Sequence, residues 1–266
     1  MIEVKGLSKS FKLTKEAKKQ LKSEQQDPRQ EGDFFHALTR VDFACKPGQV
    51  LGLLGPNGAG KTTTLRILAS SIRPDRGEIL VNNVNIVKNP EQAKKKIGFL
   101  STNTGLYQRL TAKENIEYFA KLHGMSSKQI SERAPVLYEE LGITEFLHRR
   151  AETLSTGMKQ KVSIARAVVH QPDVLVLDEP TTGLDIMATE TVLSFIENQK
   201  AKGTPIIFST HHLEEVTMLA DEIVVINHGK SCFRGTEESL KQQMGVSSFR
   251  KAFMHLVNKP KKEEAI

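Results

Sequence analysis

The sequence is poor in cysteine and contains no long apolar run, and both absences restrict what the protein can be. Cys45 and Cys232 are its two cysteines among 266 residues, which excludes a disulfide framework. The longest apolar runs, 174–177 and 223–226, have four residues each, whereas a membrane-spanning helix needs about 20. The first residues also lack the apolar core of a signal peptide. We therefore expect a protein of a reducing, cytosolic compartment.

A long basic stripe is absent as well, although the formal net charge is +7. Segment 12–33 has six basic and five acidic residues, and it predicts an exposed, charged insertion between two strands. Segment 246–266 has five basic and two acidic residues. Its interleaved Phe249, Phe253 and Leu256 are compatible with a short amphipathic helix, but a solvated basic tail is the favoured interpretation. We expect no nucleic-acid partner, because binding of that kind favours a continuous basic stripe.

What the sequence does contain, from residue 49 onward, is a regular alternation of short apolar runs and amphipathic segments. The runs predict strands at 50–54, 78–81, 97–100, 174–177, 206–209 and 223–226, after two earlier strands at 2–7 and 37–44. The amphipathic segments predict helices at 61–71, 113–123, 159–170, 187–200, 213–220 and 237–243. Such alternation predicts an α/β fold with a parallel sheet covered on both faces. Residues 1–245 are expected to form one domain.

The block 111–171 contains no strand pattern. Two capping boxes, Thr111 with Glu114 and Ser126 with Gln129, predict that helices start in it. Pro135 is expected to break or kink the second of these helices. We expect a helical subdomain, about 103–171, inserted between two strands of the sheet.

Residues 55–62 fit the phosphate-loop motif G-x-x-x-x-G-K-[ST] between a predicted strand and a predicted helix. Glycines let several backbone N–H groups converge on one anion, and the helix N-terminus adds partial positive charge. Lys61 is expected to reach the β- and γ-phosphates of a nucleotide, and Thr62 to bind Mg²⁺. This context disfavours the alternative, a glycine-rich turn without a ligand. The candidate nucleotide-binding residues here are Gly55, Pro56, Asn57, Gly58, Ala59, Gly60, Lys61, Thr62 and Thr63.

Two consecutive carboxylates, Asp178 and Glu179, follow the strand at 174–177. Because successive strand side chains point in opposite directions, we expect different roles for them. Asp178 is assigned to Mg²⁺, and Glu179 to the general base that activates the attacking water. His211 follows the strand at 206–209, at the sheet edge where α/β folds bind ligands, and is expected to contact the γ-phosphate. Without the phosphate loop, an exposed acidic turn and a structural histidine would be the favoured interpretations.

The sequence Leu-Ser-Thr-Gly-Met at 154–158 resembles the signature of the ATP-binding-cassette (ABC) ATPases, which is usually Leu-Ser-Gly-Gly-Gln. Residues 182–185 resemble the D-loop of that family, and residues 208–211 resemble its switch-histidine loop. The resemblance covers residues 2–238. It implies a P-loop ATPase fold with a RecA-like parallel-sheet core, an N-terminal antiparallel β subdomain and an inserted helical subdomain.

The resemblance also implies roles for single residues. Phe11 would stack on adenine, with an ordinary core phenylalanine as the alternative. Ser155 and Gly157 would contact the nucleotide bound by a partner copy, and Asp185 of the D-loop would also be a nucleotide-binding residue. Thr102 stands where the family has its Q-loop glutamine, and its shorter hydroxyl side chain would bind Mg²⁺ or a water of the metal. The catalytic residues implied are Lys61, Glu179 and His211.

The function implied by the resemblance is that of an exporter subunit that binds and hydrolyses ATP with Mg²⁺. Two copies would pack head to tail with ATP between them and drive a separate ABC-2-type permease from the cytoplasmic face of a bacterial cell membrane. The signature form Ser-Thr-Gly-Met-Lys-Gln-Lys at 155–161 is most similar to sodium-efflux ABC ATPases. Multidrug and polysaccharide exporters share much of this pattern. A soluble ABC ATPase acting on ribosomes or DNA is a further alternative.

Overall fold

The computed structural model describes residues 1–14, 27–101 and 105–258. The strands are β1 (Ile2–Lys12), β2 (Gln30–Glu31), β3 (Phe34–Cys45), β4 (Val50–Leu54), β5 (Arg76–Val81), β6 (Val84–Asn85), β7 (Ile97–Leu100), β8 (Val174–Asp178), β9 (Ile206–Ser209), β10 (Glu222–Asn227) and β11 (Lys230–Gly235). The helices are α1 (Lys61–Leu68), α2 (Pro90–Lys96), α3 (Ala112–Leu122), α4 (Ser127–Glu140), α5 (Thr156–Val168), α6 (Ile186–Ala201), α7 (Leu213–Leu219), α8 (Glu237–Met244) and α9 (Phe249–Asn258).

These strands form two sheets of different character. The order β2-β3-β1-β5-β6 makes an antiparallel sheet near the N-terminus. The order β11-β10-β4-β9-β8-β7 makes the second sheet, which is parallel except for the antiparallel β10–β11 pair at its edge. The predicted fold class, a parallel-sheet core with an N-terminal antiparallel β subdomain, is confirmed.

Burial explains why the central strands read as continuous apolar runs. Every residue of β4 and β8 is buried, as expected for parallel strands covered on both faces. One side of the parallel sheet packs with α1 and the antiparallel sheet, through Leu65 and Leu68 among others. The other side shares a core with α3 to α7. The phosphate loop between β4 and α1 is therefore anchored by buried elements at both of its ends.

Two of the helices between β7 and β8, α3 and α4, start at the predicted capping boxes, whereas α5 starts at Thr156, three residues before its predicted start. Thr111 with Glu114 and Ser126 with Gln129 both form complete capping boxes. The expected break at Pro135 is wrong, because α4 continues from Ser127 to Glu140. The proline lies on the exposed side of this helix, while its other side is buried and packs on the core. Tertiary packing thus outweighs the loss of one backbone hydrogen bond.

The C-terminal region corrects the sequence interpretation. A solvated tail is wrong for Phe249–Asn258, which forms α9. Phe249 is buried, Phe253 and Leu256 pack against the same core, and Asn227 donates a side-chain hydrogen bond to the Val257 carbonyl at 2.9 Å. The apolar residues interleaved with the basic ones are the buried face of a packed helix. Residues 259–266 lie outside the described ranges. Across residues 1–14, 27–101 and 105–258, no helix has the length and apolar character needed to span a membrane.

Candidate nucleotide site

The phosphate loop has the backbone conformation that its glycines predict. Gly58 and Gly60 have positive φ angles of 74° and 116°. A Cβ atom at Gly60 would lie 2.6 Å from Leu38 Cδ2 and 2.9 Å from the Ala37 carbonyl oxygen, so a side chain would collide there. Because Gly60 is the N-cap of α1, no side chain competes for the first N–H groups of this helix. The loop can therefore present backbone donors to an anion.

Lys61 links two carbonyl groups at the start of the phosphate loop. Its ammonium donates hydrogen bonds to the carbonyl oxygens of Gly55 at 2.7 Å and Pro56 at 3.2 Å. Burial lowers the pKa of Lys61, and the nearby carboxylates of Glu179 and Asp178 act in the opposite direction. The geometry places a cation inside the phosphate loop. Asn57 is exposed at the tip of the same loop, and Thr63 is half-buried on α1.

Asp178 ends β8 with a carboxylate that is only 1% exposed. Its Oδ1 accepts hydrogen bonds from Ser209 Oγ at 2.7 Å and Thr62 Oγ1 at 3.2 Å. Its Oδ2 is buried and has no hydrogen-bond partner within the described ranges. A buried, unpaired carboxylate oxygen beside a threonine hydroxyl is the oxygen donor set that Mg²⁺ prefers. The residues present therefore fit this metal ion.

Glu179 has different hydrogen-bond partners from Asp178, but it lies past the end of β8 and is not extended, so strand alternation is not the reason. Its φ is +49°, and its N–H donates to the Ser209 carbonyl at 3.1 Å. One carboxylate oxygen accepts from Thr182 Oγ1 at 3.0 Å, and the other lies 3.4 Å from His211 Nδ1. A positive φ at a non-glycine residue is uncommon and occurs often at functional sites. The structure thus brings Glu179 and His211 together. We call Lys61, Thr62, Asp178, Glu179, Ser209 and His211 the strand-end cluster.

Sequence reasoning missed two residues that support this cluster. Ser209 lies opposite Asp178 in the register of β8 and β9, a pairing that the parallel order could have suggested. Glu215 of α7 is buried and accepts hydrogen bonds from Thr181 Oγ1 at 2.5 Å and Thr210 Oγ1 at 2.8 Å. It joins the turn after Glu179 to the loop before His211. Its position four residues after His211 gave no sign of that bridge.

The signature residues and the D-loop aspartate form a second group. Ser155 is the N-cap of α5, and Asp185 is the N-cap of α6, accepting from the Ala188 N–H at 2.8 Å. A Cβ atom at Gly157 would lie 3.9 Å from Asp185 Oδ2, so the two segments are adjacent. Two large apolar side chains follow Asp185 and are unusually exposed, Ile186 at 86% and Met187 at 77%. We call Ser155, Gly157, Asp185, Ile186 and Met187 the signature surface.

The last two predicted site residues have different outcomes. Phe11 lies on β1, opposite Phe35 of β3, and is 39% exposed. A core phenylalanine is therefore excluded, while stacking on adenine stays a prediction. The Lys9 ammonium lies 5.4 Å from the centroid of the Phe11 ring. Thr102 lies outside the described residues, and its predicted contact with Mg²⁺ stays a prediction.

Comparisons with known proteins agree with this geometry. The sequence model of the family described as ABC transporter matches residues 38–182. The ABC transporter ATP-binding protein NatA of Bacillus subtilis (strain 168) is 42% identical over 219 residues, which cover 82% of this chain and 89% of that protein. The linearmycin resistance ATP-binding protein LnrL of the same strain is 35% identical over 222 residues, 80% of this chain and 71% of that protein.

A solved structure of the ATP-binding subunit of an ABC transporter superposes with a TM-score of 0.81 and 29% identity, covering 96% of this chain and 99% of that chain. The match in sequence and the match in fold extend well beyond the short motifs. The chain therefore belongs to the ABC transporter family, as one of its ATP-binding and ATP-hydrolysing subunits.

Proposed function

We propose that the chain is the ATPase subunit of a bacterial exporter, with ATP bound on the strand-end cluster and hydrolysed there. The observation that carries this proposal is the arrangement at the ends of β8 and β9. One carboxylate, Asp178, is buried beside Thr62, and the next, Glu179, faces His211. Phosphoryl transfer to water needs these two functions on different side chains, one for the metal ion and one for the water.

Each residue of the cluster then has one role. Lys61 attracts the β- and γ-phosphates, and Thr62 and Asp178 would hold Mg²⁺. When bound, Mg²⁺ neutralises charge on the transferred phosphoryl group. Glu179 accepts the proton of the attacking water. His211 Nδ1 lies 3.4 Å from Glu179 Oε1, so His211 orients the Glu179 carboxylate, and it also contacts the γ-phosphate.

We further propose that two copies close head to tail on ATP. In this arrangement Ser155 and Gly157 of one copy would contact the nucleotide bound by Lys61 of the other. Support comes from the signature surface, where Ile186 and Met187 expose apolar side chains next to Asp185. Exposed apolar residues grouped in this way mark protein interfaces. ATP would stabilise the closed pair because it contacts both copies, and hydrolysis would weaken the pair.

The partner and cargo belong to the same proposal. A separate ABC-2-type permease would carry the substrate, with this chain bound at the cytoplasmic face of the membrane. Sodium efflux is supported by the form of the signature at 155–161 and by the identity to NatA. Export of a drug is the second candidate, because LnrL, a linearmycin resistance protein, is 35% identical.

The test is co-purification with the permease and ATPase assays in proteoliposomes that contain sodium, other ions or candidate drugs. We expect sodium to stimulate turnover, and the Lys61→Ala subunit to show no turnover under any condition. Stimulation by a drug with no response to sodium would favour the second candidate. Stimulation by ribosomes or DNA, without the permease, would overturn the exporter proposal.

A further inference from the structure

The end of the charged insertion lies against the phosphate loop. Arg29, which leads into β2, donates a hydrogen bond from Nη1 to the carbonyl oxygen of Gly58 at 2.6 Å. The two residues are 29 positions apart, and no motif joins them. The insertion is thus in direct contact with the loop that would hold the phosphates.

The Arg29 side chain is fixed before it reaches the loop. Asp27 accepts from Arg29 Nε at 2.9 Å, from Nη2 at 2.6 Å and from the backbone N–H at 3.0 Å. The guanidinium carbon lies 4.5 Å from the centroid of the Phe35 ring, and the side chain is 13% exposed. Arg29 in turn holds the pKa of the Asp27 carboxyl below its usual value. The two-oxygen contact with Asp27, which we call the fork, and the stacking on Phe35 leave the Arg29 guanidinium little conformational freedom.

The contact with Gly58 fixes one peptide of the loop. The N–H group of that same peptide belongs to Ala59 and donates to the Pro56 carbonyl at 3.1 Å. The next carbonyl, that of Ala59, accepts from the Gly229 N–H at 2.9 Å. Arg29 and Gly229 therefore hold successive carbonyl groups from outside the loop. Because each peptide is planar, fixing these carbonyls also fixes the directions of the N–H groups.

Arg29 also links the phosphate loop to the strand pair that carries Phe11. It stacks on Phe35, which pairs with Phe11 across β1 and β3. Directly opposite residues of an antiparallel pair lie on the same face of the sheet. The candidate adenine platform and the tip of the phosphate loop are thus connected through one arginine.

We propose that Arg29 is a positioning residue that preorganises the phosphate loop, so that the insertion contributes to nucleotide affinity. This inference rests on the proposed ATP site. Arg29 acts through the backbone of Gly58 and takes no part in the chemical step. Its removal should therefore change binding of the phosphates and leave turnover at saturating ATP within about twofold. Preorganised donors bind more tightly because less ordering remains to be done on binding.

The first experiment measures affinity for ATP and for inorganic tripolyphosphate by calorimetry in the presence of Mg²⁺. We expect Arg29→Ala to weaken both about five- to tenfold, less than the loss of a direct charge-assisted hydrogen bond to the phosphates, because Arg29 acts through the backbone of Gly58. Phe11→Ala should weaken ATP while tripolyphosphate binds as in the wild type. Arg250→Ala, which removes an exposed arginine of α9, should change neither. Unchanged tripolyphosphate affinity in a folded Arg29→Ala protein would overturn the proposal.

A second pair of variants separates positioning from simple charge attraction. Asp27→Asn removes a negative charge near the loop, which by electrostatics alone would strengthen binding of phosphates. Positioning predicts the opposite, a weaker affinity, because the fork that holds Arg29 is lost. Arg29→Lys keeps the charge but cannot form the fork, so it should resemble Arg29→Ala. Tighter binding in Asp27→Asn, or wild-type affinity in Arg29→Lys, would contradict our inference.

The outcomes for the two proposals are distinguishable. A wild-type protein that neither binds nor hydrolyses ATP would overturn the proposed function. A wild-type protein that hydrolyses ATP, with Arg29→Ala behaving in the same way at all ATP concentrations, would overturn the role of Arg29 alone.

Discussion

The strand-end cluster and the signature surface differ in how far their side chains are satisfied by contacts within the chain. In the cluster, Asp178 and Glu179 are held by hydrogen bonds from β9, α1 and the turn after β8. On the signature surface, Ser155 and Asp185 cap helices, and the large apolar side chains beside them remain exposed. The hydrogen bonds of the first region are completed within a single chain, while the second leaves the apolar side chains of Ile186 and Met187 exposed, as our proposed dimer requires.

Glu179→Gln attacks the chemistry of the cluster and leaves its size unchanged. We expect turnover to fall by about 10²–10⁴-fold, because the proposed general base is lost, while ATP still binds. ATP should then trap the closed dimer, visible by size-exclusion chromatography with light scattering. Wild-type turnover in this variant would contradict the role assigned to Glu179.

Ser155→Asp tests the signature surface with the helix left intact. Aspartate is a good N-cap, so α5 should keep its start, but a negative charge would then face the nucleotide of the partner. We expect turnover to fall at least about tenfold, because a repulsion of about 1.4 kcal/mol corresponds to a factor of ten. The Kd for ATP on the isolated subunit should stay unchanged. Ser155→Asn, also a cap but neutral, is the matched control. A loss of ATP affinity in the monomer would mean that the two regions meet within one chain.

A mixture of Lys61→Ala and Ser155→Asp subunits sharpens the same comparison. In a mixed pair, one of the two sites combines an intact Lys61 with an intact Ser155 from the other copy. We expect the mixture to recover part of the wild-type turnover, although each variant alone is inactive or nearly so. No recovery in demonstrably mixed dimers would contradict the head-to-tail arrangement.

Glu215→Gln tests the buried hydrogen bonds that support the strand-end cluster. The amide retains one acceptor but replaces the other by a donor, so one of the hydrogen bonds from Thr181 and Thr210 loses its acceptor. We expect the free energy of unfolding to drop by about 1–2 kcal/mol, measured with urea. Glu214→Gln, at the exposed neighbouring position, should stay within about 0.5 kcal/mol of the wild type. Equal effects of the two variants would show that the buried bridge does not stabilise the cluster.

The smallest expected effect is on the pH dependence of stability and comes from His170, which lies outside both regions. Burial and, to a smaller extent, His123, whose ring is stacked on it with centroids 3.6 Å apart, lower the pKa of His170 from 6.5 to about 4. Between these two pH values the unfolded chain binds a proton that the folded chain does not, so stability falls as the pH falls from 6.5 toward 4. His170→Gln should reduce this acid sensitivity in urea unfolding at pH 7.5 and 5.5. Exposed His148→Gln should leave it unchanged.

Local signals predicted the elements that carry the chemistry. The strands at 50–54, 97–100 and 206–209 have the predicted bounds, and both capping boxes are present. By contrast, α2 and β11 were not predicted. Of β11, one residue, Phe233, is buried, and α2 buries Ala93 alone, so neither gives a clear hydrophobic period. Both elements are held in place by the elements next to them, which their own sequences do not reveal.

What the sequence by itself determined is the set of reactive groups and their local backbone. A phosphate loop, two carboxylates after an apolar run and a helix-capping serine need only adjacent residues to be recognised. The tertiary structure decided which of these groups meet: Glu179 with His211, Thr62 with Asp178, and Arg29 with Gly58. These contacts depend on strand order and on where the chain around Arg29 meets the phosphate loop. Both are set by long-range packing, to which local periodicity and motif spacing are blind.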